Sequence, residues 1–206
     1  MSRHHHRHCS SSSSSSSDSE CTSSSSSSCE HICCAPSSFE LNKLVAVQYA
    51  TSLVGKFALK FSAAARETDP VQQALLVRSL QRTLTKHFLI EFVINGNVIS
   101  TATDYATLMA LIQSESAGSV FDAIMVGNIT VRKYTEKKNC RRTISLDALQ
   151  YDVQTQPIIA GVQQSILIPA LDQFTIVEPK CNEFRIKKLV VTFITLLPIP
   201  LGQTVF

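Results

Sequence analysis

From Phe39 onward, apolar residues recur at helical spacing. Ala46, Tyr49, Ala50, Leu53, Phe57 and Phe61 fall three and four apart, one stripe that predicts a long helix over about 40–65. RETDP then breaks the period. Asp69 suits an N-cap and Pro70 the first helical position, so a second helix starts there, with Leu76, Val77, Leu80, Leu84 and Phe88 as its stripe. In HFLIEFVINGNVIST the period turns to two, and Asn95-Gly96 between apolar runs predicts a tight hairpin of two short strands. Thr103 can cap a third helix, TDYATLMALIQS, with Asp104 favourable in its first turn.

After Gly118 the pattern is that of strands, over roughly 119–134, 141–154, 160–177 and 182–197. Phe121, Ala123, Met125, Ile129 and Val131 hold one parity, which predicts one apolar face along the first of these. In the last strand the parity flips, from Phe184 and Ile186 to Leu189, Val191 and Phe193. A slip of one residue near Lys187 and Lys188 is the signature of a β-bulge, and bulges bend sheets. The connection QTQPIIAGVQQSILIPA is long and apolar, and strand boundaries there are the least defined.

Composition divides the chain near residue 38. Before it stand serine, histidine and cysteine, with Ile32 almost the only large aliphatic residue; such a segment has no apolar surface to offset the entropy of ordering and is expected to be disordered. Residues 39–206 are rich in Leu, Ile, Val and Phe and form one domain of ordinary size. Five of the seven cysteines lie in the tail. With no apolar stretch after the basic start, a secretory leader and a disulfide framework are not expected, nor is a membrane span in LVVTFITLLPIPL, which is short and carries Pro198 and Pro200. The expectation is an intracellular protein, cytoplasmic or nuclear. The net charge of +3 is scattered and gives no argument for nucleic acid or an anionic membrane as partner.

In the tail, HHHRHC and CEHICC bring together imidazole and thiolate, ligands that zinc and copper(I) favour, with Cys29, His31, Cys33 and Cys34 as candidates. Their spacings of two, two and one, followed by no second pair across a folded loop, fit a compositionally biased segment better. Serines three residues before an acid, such as Ser15 before Asp18 and Ser27 before Glu30, suit an acid-directed kinase.

The order of helix, helix, short hairpin, helix and four long antiparallel strands resembles the nuclear transport factor 2-like superfamily, in particular its SnoaL-like branch. The resemblance rests on that order, on FVINGNVISTATDYATLMALI leading into the third helix, and on NEFRIKKLVVTF, which is similar to the family's closing strand with Phe184 in the aromatic place. It implies an α+β fold: three N-terminal helices packed on a strongly curved, mainly antiparallel six-stranded sheet, a cone with an apolar pocket at one end. It also implies a homodimer, and either a small apolar ligand or protein partner, or an isomerase, cyclase or dehydratase acting on a small hydrophobic substrate. Fold alone does not choose between binding and catalysis.

Chemistry of the second kind needs an acid, histidine or tyrosine inside the pocket, tuned by apolar walls. Glu91 in FLIEFVI and Asp122 in VFDAIMV are acids embedded singly in apolar strands and are the candidate general bases; alternation alone also allows each a place on the solvent face. Tyr105 and Tyr151 are candidate hydrogen-bond donors to a ligand, with Tyr134 a further tyrosine of the same kind. RKYTEKKNCRR reads as a solvated basic turn. No phosphate loop, nucleophile elbow or HExxH is present, and no cofactor is implied.

Overall fold

The computed structural model describes residues 39–116, 121–137, 141–159, 162–180, 183–194 and 199–200. The tail, including Cys29, His31, Cys33 and Cys34, lies outside the described residues. Helix α1 spans Phe39–Arg66 and α2 spans Pro70–Gln81. Asp69 caps α2 as the sequence predicts: its Oδ1 accepts the Val71 and Gln72 N–H groups at 2.8 and 2.9 Å.

The second helix ends earlier than its stripe implies. Leu84 and Phe88 belong to strand β1, Leu84–Ile94, because a spacing of four satisfies both a helix face and a strand face. The chain turns at Thr83, whose hydroxyl donates to Leu80 O at 2.6 Å. His87 lies within β1 and is exposed. Strand β2 is Asn97–Ala102, joined to β1 through Asn95 and Gly96 at φ 51° and 78°, the backbone that a tight hairpin turn requires. Helix α3, Tyr105–Ser116, is capped by Asp104 and not Thr103: Asp104 Oδ1 accepts the Thr107 N–H, and Thr107 Oγ1 accepts the Thr103 and Asp104 N–H groups.

Four long strands follow: β3 Phe121–Glu136, β4 Arg142–Ile159, β5 Val162–Lys180 and β6 Glu183–Phe193, with a two-residue strand β7, Ile199–Pro200, beside β5. Their order across the sheet is β2-β1-β6-β5-β4-β3. Every pairing is antiparallel except β1 with β6, so the sheet is mixed. The apolar connection after residue 154 is mostly strand, since β4 and β5 stay paired out to Ile159 and Val162.

Two irregularities set which side chains face inward. In β6, Lys188 pairs with Thr175 and Ile186 with Ile176, so Lys187 is the extra residue of the expected bulge. In β3 the register shifts between Gly127 and Thr130, with Asn128 at φ 47°. Asn tolerates that left-handed backbone better than other non-glycine residues. The shift corrects the single apolar parity expected of β3. Ile124 and Val126 pack on the core before it and Ile129 at it, whereas Met125 is 46% exposed on the other face.

The core lies between the helices and one face of the curved sheet. Ala46, Ala50, Val54, Phe57 and Phe61 of α1 meet Phe88, Ile90 and Phe92 of β1, Ile144, Leu146 and Ala148 of β4, Phe174 and Ile176 of β5, and Leu189 and Val191 of β6. Small residues at Ala46 and Ala50 bring the helix backbone close to its neighbours, and each enclosed Phe, Leu or Ile contributes about 1.5–3 kcal/mol. Tyr49, expected in the buried stripe, is half exposed but stacks on Phe184 at 5.9 Å. No helix among the described residues is long and apolar enough to cross a membrane.

Candidate functional site

The alternation that buries the core also buries acids. On β5 the inward positions run Ala170, Asp172, Phe174, Ile176, Glu178, and on β4 they run Arg142, Ile144, Leu146, Ala148, Gln150, Asp152. Two polar groups result, one at each end of this face.

The first group lies under the C-terminal half of α1. Gln150 Nε2 donates to Asp152 Oδ1 at 2.7 Å. Asp172 stands beside Val191 of β6 and Ala148 of β4 in register, one diagonal step from Gln150. It is 1% exposed, and its Oδ1 has no hydrogen-bond partner. Burial, reinforced by the negative charge of Asp152, raises its pKa well above the usual carboxylate range. Asp172 is thus a neutral acid over a range of pH in which an exposed aspartate is charged.

An apolar cavity adjoins this group. Phe57 and Phe61 of α1, Ile90 and Phe92 of β1, Ile124 of β3, and Leu189 and Val191 of β6 line it, together with Gln150. Its volume of about 10 Å³ is close to the room that one water molecule needs. Ser62 fixes the helix over this end: its hydroxyl accepts the Ile124 N–H at 2.9 Å and donates to Ala58 O at 2.8 Å. Phe57 meets Phe174 edge to face at 6.4 Å, so α1 and β5 share one aromatic contact.

At the other end Arg142 and Glu178 form an ion pair, Nε to Oε2 at 3.4 Å, with the side chains 5% and 3% exposed. Tyr134 donates to Glu136 Oε2 at 3.0 Å on the adjoining strand. Burial and that carboxylate raise Tyr134 to about 12. The basic turn of the sequence therefore contributes an interior residue, Arg142.

Among the described residues, the predicted Glu91, Tyr105 and Tyr151 are not brought together. Glu91 has the opposite parity to Ile90 and Phe92, so it lies on the outer face of the sheet, where Lys188 Nζ pairs with it at 2.8 Å. Tyr151 is also of outward parity, between Met125 and Pro169 in register. Tyr105 sits between α3 and α2, its hydroxyl donating to Ala74 O at 3.3 Å and its ring under Arg78. Asp122 falls in β3, with its side chain outside the described residues. Among the described residues no group of three metal-ligating side chains occurs.

Sequence reasoning passed over Asp172, Asp152 and Gln150, although a signal existed. Asp172 shares its parity with Ala170, Phe174 and Ile176, and an acid in that row must be enclosed once the row is.

No family model and no curated protein sequence matches the chain. Solved structures do. An NTF2-like protein with a cystatin-like fold from Novosphingobium aromaticivorans superposes with a TM-score of 0.50 at 14% identity, over 76% of this chain and 86% of that one. ActVI-ORFA from Streptomyces coelicolor follows at 0.49 and 11%, over 73% and 98%. The hexachlorocyclohexane dehydrochlorinase LinA-type3 from Novosphingobium barchaimii gives 0.49 and 15%, over 81% and 97%. At such identities the likeness is one of fold.

Proposed function

We propose, for a chain that has the nuclear transport factor 2-like fold, that it binds one small and largely apolar organic molecule between α1 and the inner face of the sheet. The observation that carries this reading is Asp172, a buried acid without a hydrogen-bond partner beside a cavity walled by phenylalanine and aliphatic side chains. An unsatisfied buried polar group costs roughly 1–3 kcal/mol. Such a cost calls for an explanation, and a guest that supplies the missing partner is the one proposed. A guest larger than one water requires displacement of Phe57 and Phe61, which line the cavity from α1.

Methyl NMR with toluene as probe tests it. Leu189, Val191 and Ile90 should shift saturably, while the exposed Leu59 and Leu75 stay fixed. Uniform small shifts, or none up to the solubility of toluene, reject the reading.

The reading includes a homodimer through the outer face. There Met125 lies beside Tyr151 and Leu149 beside Leu171, an apolar row that a second copy related by a twofold axis would cover. Sedimentation at micromolar concentration should give twice the chain mass, and a single-chain mass would remove the dimer alone.

A further inference from the structure

None of the residues lining the cavity is basic, and two acids adjoin lining residues: Asp172 stands beside Val191 in register, and Asp152 accepts from Gln150. The charged groups nearest in the fold are accounted for elsewhere. Arg142 faces Glu178 at the far end of β4 and β5, Lys60 of α1 donates to Ser79 O on α2, and Glu91 and Lys188 pair on the outer face. From β6 and β1 the neighbours are Leu189, Val191, Ile90 and Phe92, which carry no charge.

Three classes of guest meet this lining differently. An anion would be repelled by Asp152 and gains no counter-ion. A neutral carbonyl would accept a hydrogen bond from Asp172 but leaves the repulsion between the two acids as it was. An ammonium ion supplies charge to both acids and donors to the orphaned Oδ1, and Phe57, Phe61 and Phe92 offer ring faces to its positive end.

We propose that the interior guest is a small aromatic or cycloaliphatic amine bound as its ammonium cation, with Asp172 as counter-ion and Asp152, held by Gln150, as the second carboxylate. This rests on the reading of the cavity as a site for an apolar molecule. Below its raised folded value Asp172 carries a proton, held by burial and by the charge of Asp152. The arriving cation displaces that proton to solvent, so uptake of one cation releases close to one proton.

Calorimetric titration of the full chain tests the proposal, with benzylamine and its neutral counterpart benzyl alcohol, at about pH 5.5 in two buffers of different ionisation enthalpy. Benzylamine should bind with release of close to one proton, and benzyl alcohol at least tenfold more weakly with none. Asp172→Asn should lose the proton release and roughly 10–100-fold in benzylamine affinity, the range of a charged hydrogen bond, while still taking benzyl alcohol and keeping a cooperative unfolding transition. Benzyl alcohol binding as tightly as the amine, or amine uptake without proton release in the unaltered protein, overturns the ammonium proposal and leaves the cavity reading standing. Absence of binding by both probes overturns the two together.

Discussion

Replacing Asp172 by valine should make the protein more stable. The carboxyl is enclosed, neutral in the empty protein, and leaves Oδ1 without a donor, so its removal relieves the cost of an unsatisfied polar group, roughly 1–3 kcal/mol. Valine is apolar, of comparable size, and suits a central strand. In a domain of this size each kcal/mol moves Tm by roughly 2–4 °C, so the expected gain is roughly 2–12 °C. The pH dependence supplies an independent sign. The folded acidity of Asp172 is weakened relative to the unfolded chain, so the folded state holds its proton when the unfolded state has lost it. Its contribution is full below the unfolded value near pH 3.9 and is lost as pH rises through the folded value. Urea unfolding followed by circular dichroism at about pH 4 and pH 8 should show a fall in the stability of the unaltered protein that is smaller in Asp172→Val. A variant less stable at both pH values, with the slope unchanged, would mean that Asp172 is hydrogen-bonded in solution, and the reasoning from its isolation would fail.

Other expectations follow from the far end of the interior and from the core. Glu178→Gln leaves Arg142 buried without its carboxylate and should cost about 3–5 kcal/mol in chemical denaturation, whereas Arg142→Met with Glu178→Leu should stay near the original stability; equal losses would contradict the pairing. Absorbance at 295 nm should show a tyrosine ionising near about 12 that disappears in Tyr134→Phe; because that folded value is raised, its contribution to stability is full below pH 10 and is lost as pH rises through about 12. An alkaline limb unchanged in the variant would count against the Glu136 contact. Phe57→Ala removes a side chain that joins helix to sheet and should cost about 3–5 kcal/mol, measured by thermal unfolding; a loss under about 1 kcal/mol would show that the contact with Phe174 is not made.

Local grammar was legible in the residues, and face assignment was not. Asn95-Gly96, the Asp69 cap and the Lys187 bulge each depend on chemistry within a few positions, and each stands where its residues indicate. Leu84 and Phe88 were ambiguous because four is a multiple of two and also close to one helical turn. Glu91 and Asp172 show why the site was missed. Glu91 has apolar residues both one and two positions away, so periodicity alone does not tell its face, and only the sheet pairing puts Ile90 and Phe92 inside. Asp172 stands next to the polar Gln173, but the row Ala170, Phe174 and Ile176 is buried by α1, an element more than a hundred positions earlier. In β3 the local break at Asn128 reversed the parity, and no hydrophobic count detects an extra residue of that kind.

The position of β6 between β1 and β5 governs when this molecule can come into being. β1 ends at Ile94 and β6 begins at Glu183, yet the two run side by side in parallel, so the hairpin β1–β2 has no neighbour until the chain has been made almost to residue 193. During synthesis the helices and the early hairpin must wait with Phe88, Ile90 and Phe92 uncovered, and joining partners so distant in sequence is slow. Loss of β6 would therefore not trim an edge; it would part the sheet into two halves, each exposing an open flank to any other unfinished chain nearby.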